Sequence, residues 1–280
     1  MSASLGRLRE HFGDQLLIRV GREMATTPLA ESLVVPVREA LLSVNRALTT
    51  QPSFDPASAD RQFRIALSDY ASFVMLPQLL QRLTALAPGI IIKVEPFNPA
   101  ILSSISHGDL ACAVTVKDIS LLGGPKVDDT LNIEPLFSDD FVCVADANHP
   151  ALAEGVTLEL YEKLSHNLAQ FGQPSETLVE EAWRHRQIKP HVGVIAPGFV
   201  ALLFMLPGTP LLGTVQRRLA EALAPKLGLR IHECPLKIPY LDEVLVWHER
   251  DRFDPAHAFL RQQCQDVTRG FPMRPAKFDQ

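Results

Sequence analysis

The chain has 280 residues, of which 46% are hydrophobic, and this is enough to bury a core in one long domain or two ordinary ones. Its formal net charge of −5 argues against a protein that coats nucleic acid along its whole surface. Residues 1–22 depart from that balance, because they carry four arginines against two carboxylates. The amino-terminal end is therefore basic, whereas the bulk of the chain is acidic.

The cysteines and the first residues of the chain indicate the cellular compartment of the protein. The four cysteines lie far apart and form no C-x-x-C pair, which predicts buried, reduced thiols and argues against a metal site. No secretory signal opens the chain, so we expect a cytoplasmic protein. We expect no cofactor.

The segment 190–216 lacks Asp, Glu, Lys and Arg, and on hydropathy alone it resembles a membrane span. Prolines and glycines divide it into pieces of about five to eight residues. A strand, a short helix and another strand, buried on both faces, explain this composition better than a membrane helix.

The first 28 residues predict a helix, a hairpin and the start of a second helix. Leu5, Leu8 and Phe12 form an apolar helical face, and Gly13-Asp14 ends it. Residues 16–20 favour a strand, which a turn at 21–22 connects to a returning strand at 23–26. Thr27-Pro28 is typical of an N-cap followed by proline at the first helical position. This order matches the second half of a winged helix-turn-helix.

An apolar stripe then recurs every three or four residues from Leu29 to Leu48, which predicts a helix reaching about Thr49. Pro36 should kink or loosen this helix. The stripe could pack within its own domain or pair with a second copy of the chain. The polar segment 49–59 that follows has the composition of a connector and favours pairing.

From residue 60 onward, strands alternate with helices, which predicts right-handed βαβ units and mostly parallel sheets. In the first series we expect strands at 61–67, 90–96 and 110–116, with helices at 70–87 and 99–107. Residues 133–145 suggest two short strands or one broken strand. The second series has strands at 167–171, 191–195, 210–214 and 229–233, and helices near 158–164, 175–186, 199–206 and 216–224. A strand at 243–247 and a helix at 255–269 return to the first sheet.

These two series predict two lobes joined by two crossings, near 135–140 and 235–240. In open α/β sheets, ligands bind beyond the carboxyl ends of the strands, so a ligand should lie between the lobes. The residues that follow predicted strands are the candidates for this site, and they are Ser68, Asp69, Thr115, Phe171, Gly172, Gly198, Phe199, Trp247 and His248.

Each candidate also has a structural explanation, such as helix capping for Ser68 or Asp69 and core packing or turn formation for the others. Asp69 would disfavour an acidic ligand unless it is turned away. The rings of Phe171, Phe199 and Trp247 would suit an aromatic or apolar compound.

We find no catalytic signature of adequate spacing. The sequence contains no G-x-S-x-G, Walker A, H-E-x-x-H or G-x-G-x-x-G pattern. Paired carboxylates such as Asp139-Asp140 and Glu180-Glu181 are adjacent in sequence and therefore point in different directions. We expect a protein that is not an enzyme.

The amino-terminal text S-x-S-L-x-R-L-R-x-x-F-G-D-x-L-L-x-R-x-G-R-x-x-x-x-T-P-L-A resembles the LysR-type transcriptional regulators, closest to their nodulation-regulator-like branch. The resemblance implies a recognition-helix end and wing at 1–27, a dimerisation linker helix at 28–50 and an effector-binding domain at 60–270. That domain would be α/β and two-lobed, like type 2 periplasmic binding proteins, with lobe I at about 60–136 and 240–270, lobe II at about 137–237, and a tail at 271–280.

The resemblance further implies contacts with DNA. Ser2, Ser4 and Arg7 are candidates for base contacts, whereas Arg9, Arg19 and Arg22 suit the phosphate backbone. It places Met1 inside the recognition helix, so we expect residues 1–280 to bind operator DNA poorly.

The leading hypothesis is a ligand-responsive transcription regulator that binds DNA and a small-molecule effector as a homodimer or homotetramer, without membrane contact. A solute-binding protein of the same fold is one alternative. A truncated regulator that binds ligand and oligomerises without binding DNA is another.

Overall fold

The computed structural model describes residues 2–20, 23–49, 54–96, 98, 100–118, 129–170 and 177–271. They divide into two compact units, residues 1–53 and 54–280. The first unit contains α1 (Ser2–Phe12), β1 (Leu17–Val20), β2 (Glu23–Thr26) and α2 (Pro28–Thr49). The helix–hairpin–helix order matches the sequence pattern, and β1 pairs with β2 in antiparallel register.

Asp14 and Thr27 join the turn after α1 to the start of α2. The Asp14 Oδ1 atom accepts hydrogen bonds from Leu16 N at 2.6 Å and from Thr27 Oγ1 at 2.7 Å. Thr27 Oγ1 in turn accepts a bond from Ala30 N at 3.1 Å, as expected of an N-cap. Leu16 is buried with a positive φ of 59°, so the strand begins one residue later than the sequence suggested.

Helix α2 continues through Pro36 to Thr49. The middle of its apolar stripe is exposed, and Leu41 is the most exposed of its large hydrophobic residues at 64%. Val37 and Val44, one turn to either side, are exposed as well. The described residues of the first unit therefore leave the middle of this stripe exposed.

The second unit contains ten strands and seven α-helices among its described residues. The strands are β3 (Arg61–Leu67), β4 (Ile90–Pro96), β5 (Cys112–Val116), β6 (Leu131–Asp139), β7 (Phe141–Asp146), β8 (Ser165–Ala169), β9 (His191–Ala196), β10 (Leu211–Gln216), β11 (Leu229–Glu233) and β12 (Leu241–His248). The helices are α3 (Asp69–Leu86), α4 (Ile101–His107), α5 (Leu158–Lys163), α6 (Leu178–Arg186), α7 (Phe199–Phe204), α8 (Arg217–Leu227) and α9 (Pro255–Thr268).

These strands form two five-stranded sheets, with orders β4-β3-β5-β12-β6 and β11-β7-β10-β8-β9. The chain crosses from the first sheet to the second at Asp140 and returns through residues 234–240. The two-lobed α/β architecture expected from the sequence is therefore confirmed.

Each sheet also contains one strand that runs against its neighbours. Strand β7 is antiparallel to β10 and β11, and β12 is antiparallel to β5 and β6. Both are the first strand after a crossing. The sequence pattern indicated mostly parallel sheets, because alternation of strands and helices does not reveal the direction of a strand that enters from another lobe.

The uncharged segment 190–216 folds as β9, α7 and β10, in agreement with the sequence analysis. Gly213 lies in β10, where an added Cβ would collide with the Leu202 and Leu206 side chains. Among the described residues, no helix is long and apolar enough to cross a membrane.

Tyr161 organises the core of the second lobe. Its buried hydroxyl lies 3.0 Å from Thr214 Oγ1 and accepts a hydrogen bond from Trp183 Nε1 at 3.0 Å. Its carbonyl oxygen pairs with His166 Nε2 at 2.7 Å. One tyrosine of α5 therefore connects a helix and two strands.

Replacing Tyr161 with Phe should destabilise the second unit by roughly 1–3 kcal/mol, because the Trp183 N–H would lose its partner in the core. The free energy of unfolding in urea, followed by tryptophan fluorescence, measures this loss. Tyr240→Phe makes the same chemical change at a half-buried residue and should cost less. Equal effects of the two substitutions would contradict the role assigned to Tyr161.

Candidate functional site

Two helices begin where strands of different lobes end. Helix α3 follows β3 of the first sheet, and α7 follows β9 of the second. Ser68 is the N-cap of α3, since its Oγ accepts a hydrogen bond from Ala71 N at 3.0 Å. The capping role considered for Ser68 is therefore observed.

Asp69 extends from the first lobe to the second. Its Oδ2 atom accepts a hydrogen bond from Val200 N of α7 at 2.7 Å, and its Oδ1 accepts one from Tyr70 N at 2.9 Å. Gly198 and the buried Phe199 lie at the same place, because a Cβ on Gly198 would collide with the Asp69 carboxylate. The structure therefore brings together three residues that the sequence nominated separately.

Burial raises the pKa of Asp69, and hydrogen bonds from the backbone of Val200 and Phe199 oppose that effect. The carboxylate is thus partly desolvated, and the N–H groups at the start of α7 stabilise its charge.

Thr115 lies near the carboxyl end of β5, at the same edge of the first sheet as Ser68, because β3 and β5 are parallel. It is buried, and its Oγ1 has no hydrogen-bond partner within the described part of the chain. Buried hydroxyls are nearly always paired, so this oxygen is a candidate for a polar contact with a ligand.

Trp247 and His248 end their strand at the wrong edge of the sheet for the predicted site. Because β12 is antiparallel, Trp247 pairs with Cys112 at the beginning of β5, whereas Thr115 pairs with Val244. Trp247 and His248 therefore lie at the opposite edge of the sheet from Thr115.

Both residues have structural partners at that edge. The indole N–H of Trp247 donates to Glu134 Oε1 at 2.7 Å, and its ring lies 3.9 Å below the Arg261 guanidinium. His248 Nδ1 accepts a hydrogen bond from Arg250 N at 3.0 Å. The remaining candidates, Phe171 and Gly172, lie outside the described residues.

A second polar group, which the sequence analysis did not nominate, lies where the lobes join. Asp139 ends β6, and its Oδ2 accepts a hydrogen bond from Tyr70 Oη at 2.6 Å. The same oxygen accepts a bond from Arg218 N at 3.2 Å, and the Arg218 guanidinium lies 3.7 Å from Oδ1. Tyr70 belongs to the first lobe and Arg218 to the second, so Asp139 bonds to both.

Glu243 lies beside this group on β12, and its side chain is buried, with 3% of the residue exposed. Its Oε2 has no hydrogen-bond partner among the described residues. Burial, followed by the nearby charge of Asp139, raises the pKa of Glu243 to about 8. The sequence signal that could have identified this group is the pair of carboxylates at each crossing, at 139–140 and 242–243.

A shallow groove of about 580 Å³ lies on the second lobe, away from the cleft. Its lining comes from α6 and the segment leading into β9, including Trp183, Arg184 and Ile188. Within the described ranges, no three His, Cys, Asp or Glu side chains are arranged to hold a metal ion.

The candidate DNA-contacting residues of the first unit differ in exposure and in the hydrogen bonds they already make. Ser4, Arg7 and Arg19 are exposed, whereas Arg9 is half-buried. Arg9 donates to Gln15 O at 2.6 Å and to Leu17 O at 3.1 Å, so its guanidinium holds the turn before β1. Ser2 opens α1, but neither its side chain nor Arg22 is among the described features.

These features define a class of protein: a two-lobed α/β ligand-binding domain preceded by a helix–hairpin–helix unit. The LysR substrate binding domain family matches residues 56–269. The chain therefore belongs to the LysR family of transcriptional regulators.

Curated relatives support the same conclusion. Nodulation protein D 1 of Rhizobium leguminosarum bv. phaseoli is 34% identical over 272 residues, which span 96% of this chain and 84% of the relative. Nodulation protein D 2 of Rhizobium tropici is 35% identical over 266 residues, covering 94% and 81%. The resemblance to the nodulation-regulator branch is confirmed.

Among solved structures, a probable transcriptional regulator from Pseudomonas aeruginosa superposes with a TM-score of 0.72 and 28% identity. The superposition covers 98% of this chain and 87% of that one. The regulatory domain of MexT, a transcriptional activator in the same species, gives a TM-score of 0.64 with 26% identity over 75% of this chain and all of that domain.

Replacing Glu243 with Gln should change how stability depends on pH. Burial raises the pKa of Glu243 from its ordinary value of 4.5 to about 8 in the folded chain, so folding takes up a proton between these two pH values. The contribution of Glu243 to the free energy of unfolding should therefore fall as pH rises from 5 to about 8, by an amount on the order of 3 kcal/mol.

The Gln variant should lose most of this slope and exceed the wild type in stability at pH 8. Burial lowers the pKa values of His166 and His257, whose contribution to stability rises with pH, so the effect of Glu243 is the difference between wild type and variant. Urea unfolding across this pH range measures that difference, with exposed Glu221→Gln as the matched control. A difference in the free energy of unfolding that stays constant from pH 5 to 8 would refute it.

Proposed function

We propose that a small-molecule effector binds between the two lobes and changes their relative arrangement. The observation that carries this proposal is the hydrogen bond from Val200 N to Asp69, which joins the carboxyl-end edges of the two sheets. Ligands of open α/β sheets bind at these edges. The described residues of this cleft are Ser68, Asp69, Thr115, Gly198 and Phe199.

The unpaired hydroxyl of Thr115 and the ring of Phe199 give the cleft mixed polar and apolar character. The ring of Phe171, which the sequence analysis also nominated, would add to the apolar part. Trp247 and His248 are not included, because their strand ends at the other edge of the sheet.

For the first unit, we propose that α1 and the hairpin β1–β2 contact operator DNA. Ser2, Ser4 and Arg7 of α1 are the candidates for base edges. The exposed Arg19 on β1 suits the phosphate backbone, and so does Arg22, which lies outside the described residues. Arg9 is assigned to the turn rather than to a phosphate, because two carbonyl oxygens already accept its N–H groups.

Helix α2 would join two copies of the chain through its exposed apolar stripe, giving a homodimer or, with further contacts, a homotetramer. The solved transcriptional regulators that the chain resembles support a role in gene regulation, and we propose that the protein acts in the cytoplasm without catalysing a reaction. An effector would then act by favouring one arrangement of the oligomer over another.

Thermal unfolding in the presence of a panel of uncharged aromatic compounds tests effector binding in the cleft. A compound that raises the melting temperature of the wild type should stabilise Thr115→Val and Phe199→Ala less, because these changes remove a polar and an apolar contact. Trp247→Phe, at the far edge of the sheet, should lower the melting temperature and leave the ligand-induced shift unchanged. The reverse pattern would place the effector elsewhere.

Because we expect residues 1–280 to bind operator DNA poorly, fluorescence anisotropy at low salt concentrations, with a duplex from the region upstream of the gene, tests the DNA contacts. Arg19→Ala should weaken binding similarly for specific and unrelated duplexes, and it should reduce the dependence of log K on log salt concentration by about 1. The control Arg186→Ala removes an exposed arginine of the second unit and should leave this slope unchanged. Equal slopes for wild type and Arg19→Ala would remove Arg19 from the proposed interface.

A further inference from the structure

The Asp69 carboxylate belongs to the first lobe and accepts a hydrogen bond from the backbone of the second. It is the first residue of α3, yet its Oδ2 accepts the Val200 N–H of α7 at 2.7 Å, and the Phe199 N–H also interacts with it. A residue at the start of a helix commonly caps its own helix, but Ser68 already does so for α3. Asp69 instead supplies the acceptor for α7, whose own N-cap makes no side-chain hydrogen bond.

Gly198 lies opposite Asp69, and its lack of a side chain leaves room for the carboxylate. Gly198 is the N-cap of α7, and its φ of 173° is extended backbone that any residue can adopt. The glycine is therefore not required by its backbone conformation. An added Cβ would lie 2.7 Å from Asp69 Cγ and closer still to its Oδ2, so glycine is required for Asp69 to keep this position.

The charge of Asp69 has consequences for what else can enter the cleft. Its interactions are hydrogen bonds from backbone N–H groups, and within the described residues no Lys or Arg forms an ion pair with it. A second negative charge brought to this place would meet a partly desolvated carboxylate with no cation beside it.

We propose that Asp69 is a specificity-determining clasp between the lobes, which occupies the N–H groups at the start of α7. It follows that the cleft admits neutral or cationic molecules and excludes those that present an anionic group beside α7. The exclusion rests on the proposed function, that an effector binds in this cleft, whereas the clasp itself does not.

Hydrogen exchange of the full chain without any ligand tests the clasp. In Asp69→Ala, the Val200 amide should exchange about tenfold faster or more, because it loses its acceptor. Gly198→Ala, which leaves the charge in place and displaces the carboxylate, should have the same effect. Asp69→Asn retains an acceptor oxygen and should stay close to the wild type. Asp60→Ala removes an exposed aspartate and serves as the control.

Unchanged exchange at Val200 in both Asp69→Ala and Gly198→Ala would overturn the clasp, whatever the protein binds. The Asn variant also guards against misfolding, since it conserves size and should retain the wild-type melting profile.

Titration with phenylacetate and phenylacetamide, which differ mainly in charge, tests the exclusion. The Asp69→Asn variant should bind phenylacetate about tenfold tighter or more relative to wild type, and its affinity for the amide should change little. Failure of Asp69→Asn to gain affinity for phenylacetate would overturn the exclusion. Adding Thr115→Val to Asp69→Asn shows whether the two probes bind in the cleft. If both affinities stay unchanged, the probes bind elsewhere and the proposed effector site is wrong. The clasp would still stand if hydrogen exchange has demonstrated it.

Discussion

The arrangement of the second unit depends on one buried carboxylate at the joint between its lobes. Asp139 ends the last strand before the first crossing and accepts hydrogen bonds from Tyr70 of one lobe and from the backbone of Arg218 of the other. Because a desolvated carboxylate is costly unless it is paired, these partners are held in place on both sides. Glu243, which follows the second crossing, lies within the electrostatic reach of Asp139. Both crossings of the chain therefore meet at one electrostatic site.

Asp69 adds a second connection between the lobes, at the mouth of the cleft. The joint at Asp139 uses side chains from three elements, whereas the Asp69 contact needs one carboxylate, two backbone N–H groups and a glycine. The first connection is buried and is made through the crossings themselves. The second is partly exposed, and the strand pairing of the two sheets does not involve it. A hinge-type domain combines a joint that persists with a contact that can break, and these two connections suit those roles.

Much of the fold and part of the candidate site could be predicted from the sequence. The alternation of predicted strands and helices indicated the two lobes. Asp69, Gly198 and Thr115 were nominated because they lie at or just after the ends of predicted strands. Their mutual contact could not be predicted, because it depends on how one lobe lies against the other. Trp247 was misplaced since local patterning does not encode the direction of β12. Glu243 was missed because an acidic residue at the start of the strand EVLVW is typical of an exposed position. In the structure this strand is buried on both faces, and Glu243 is buried with it.

The exposed stripe of α2 has a thermodynamic consequence for the first unit. Val37, Leu41 and Val44 leave apolar surface in contact with water, and covering it with an identical stripe would contribute stability only when two chains meet. The folded population of this unit would then obey mass action and rise with the total amount of protein. Expression level would thus set the amount of ordered helix as well as the number of molecules.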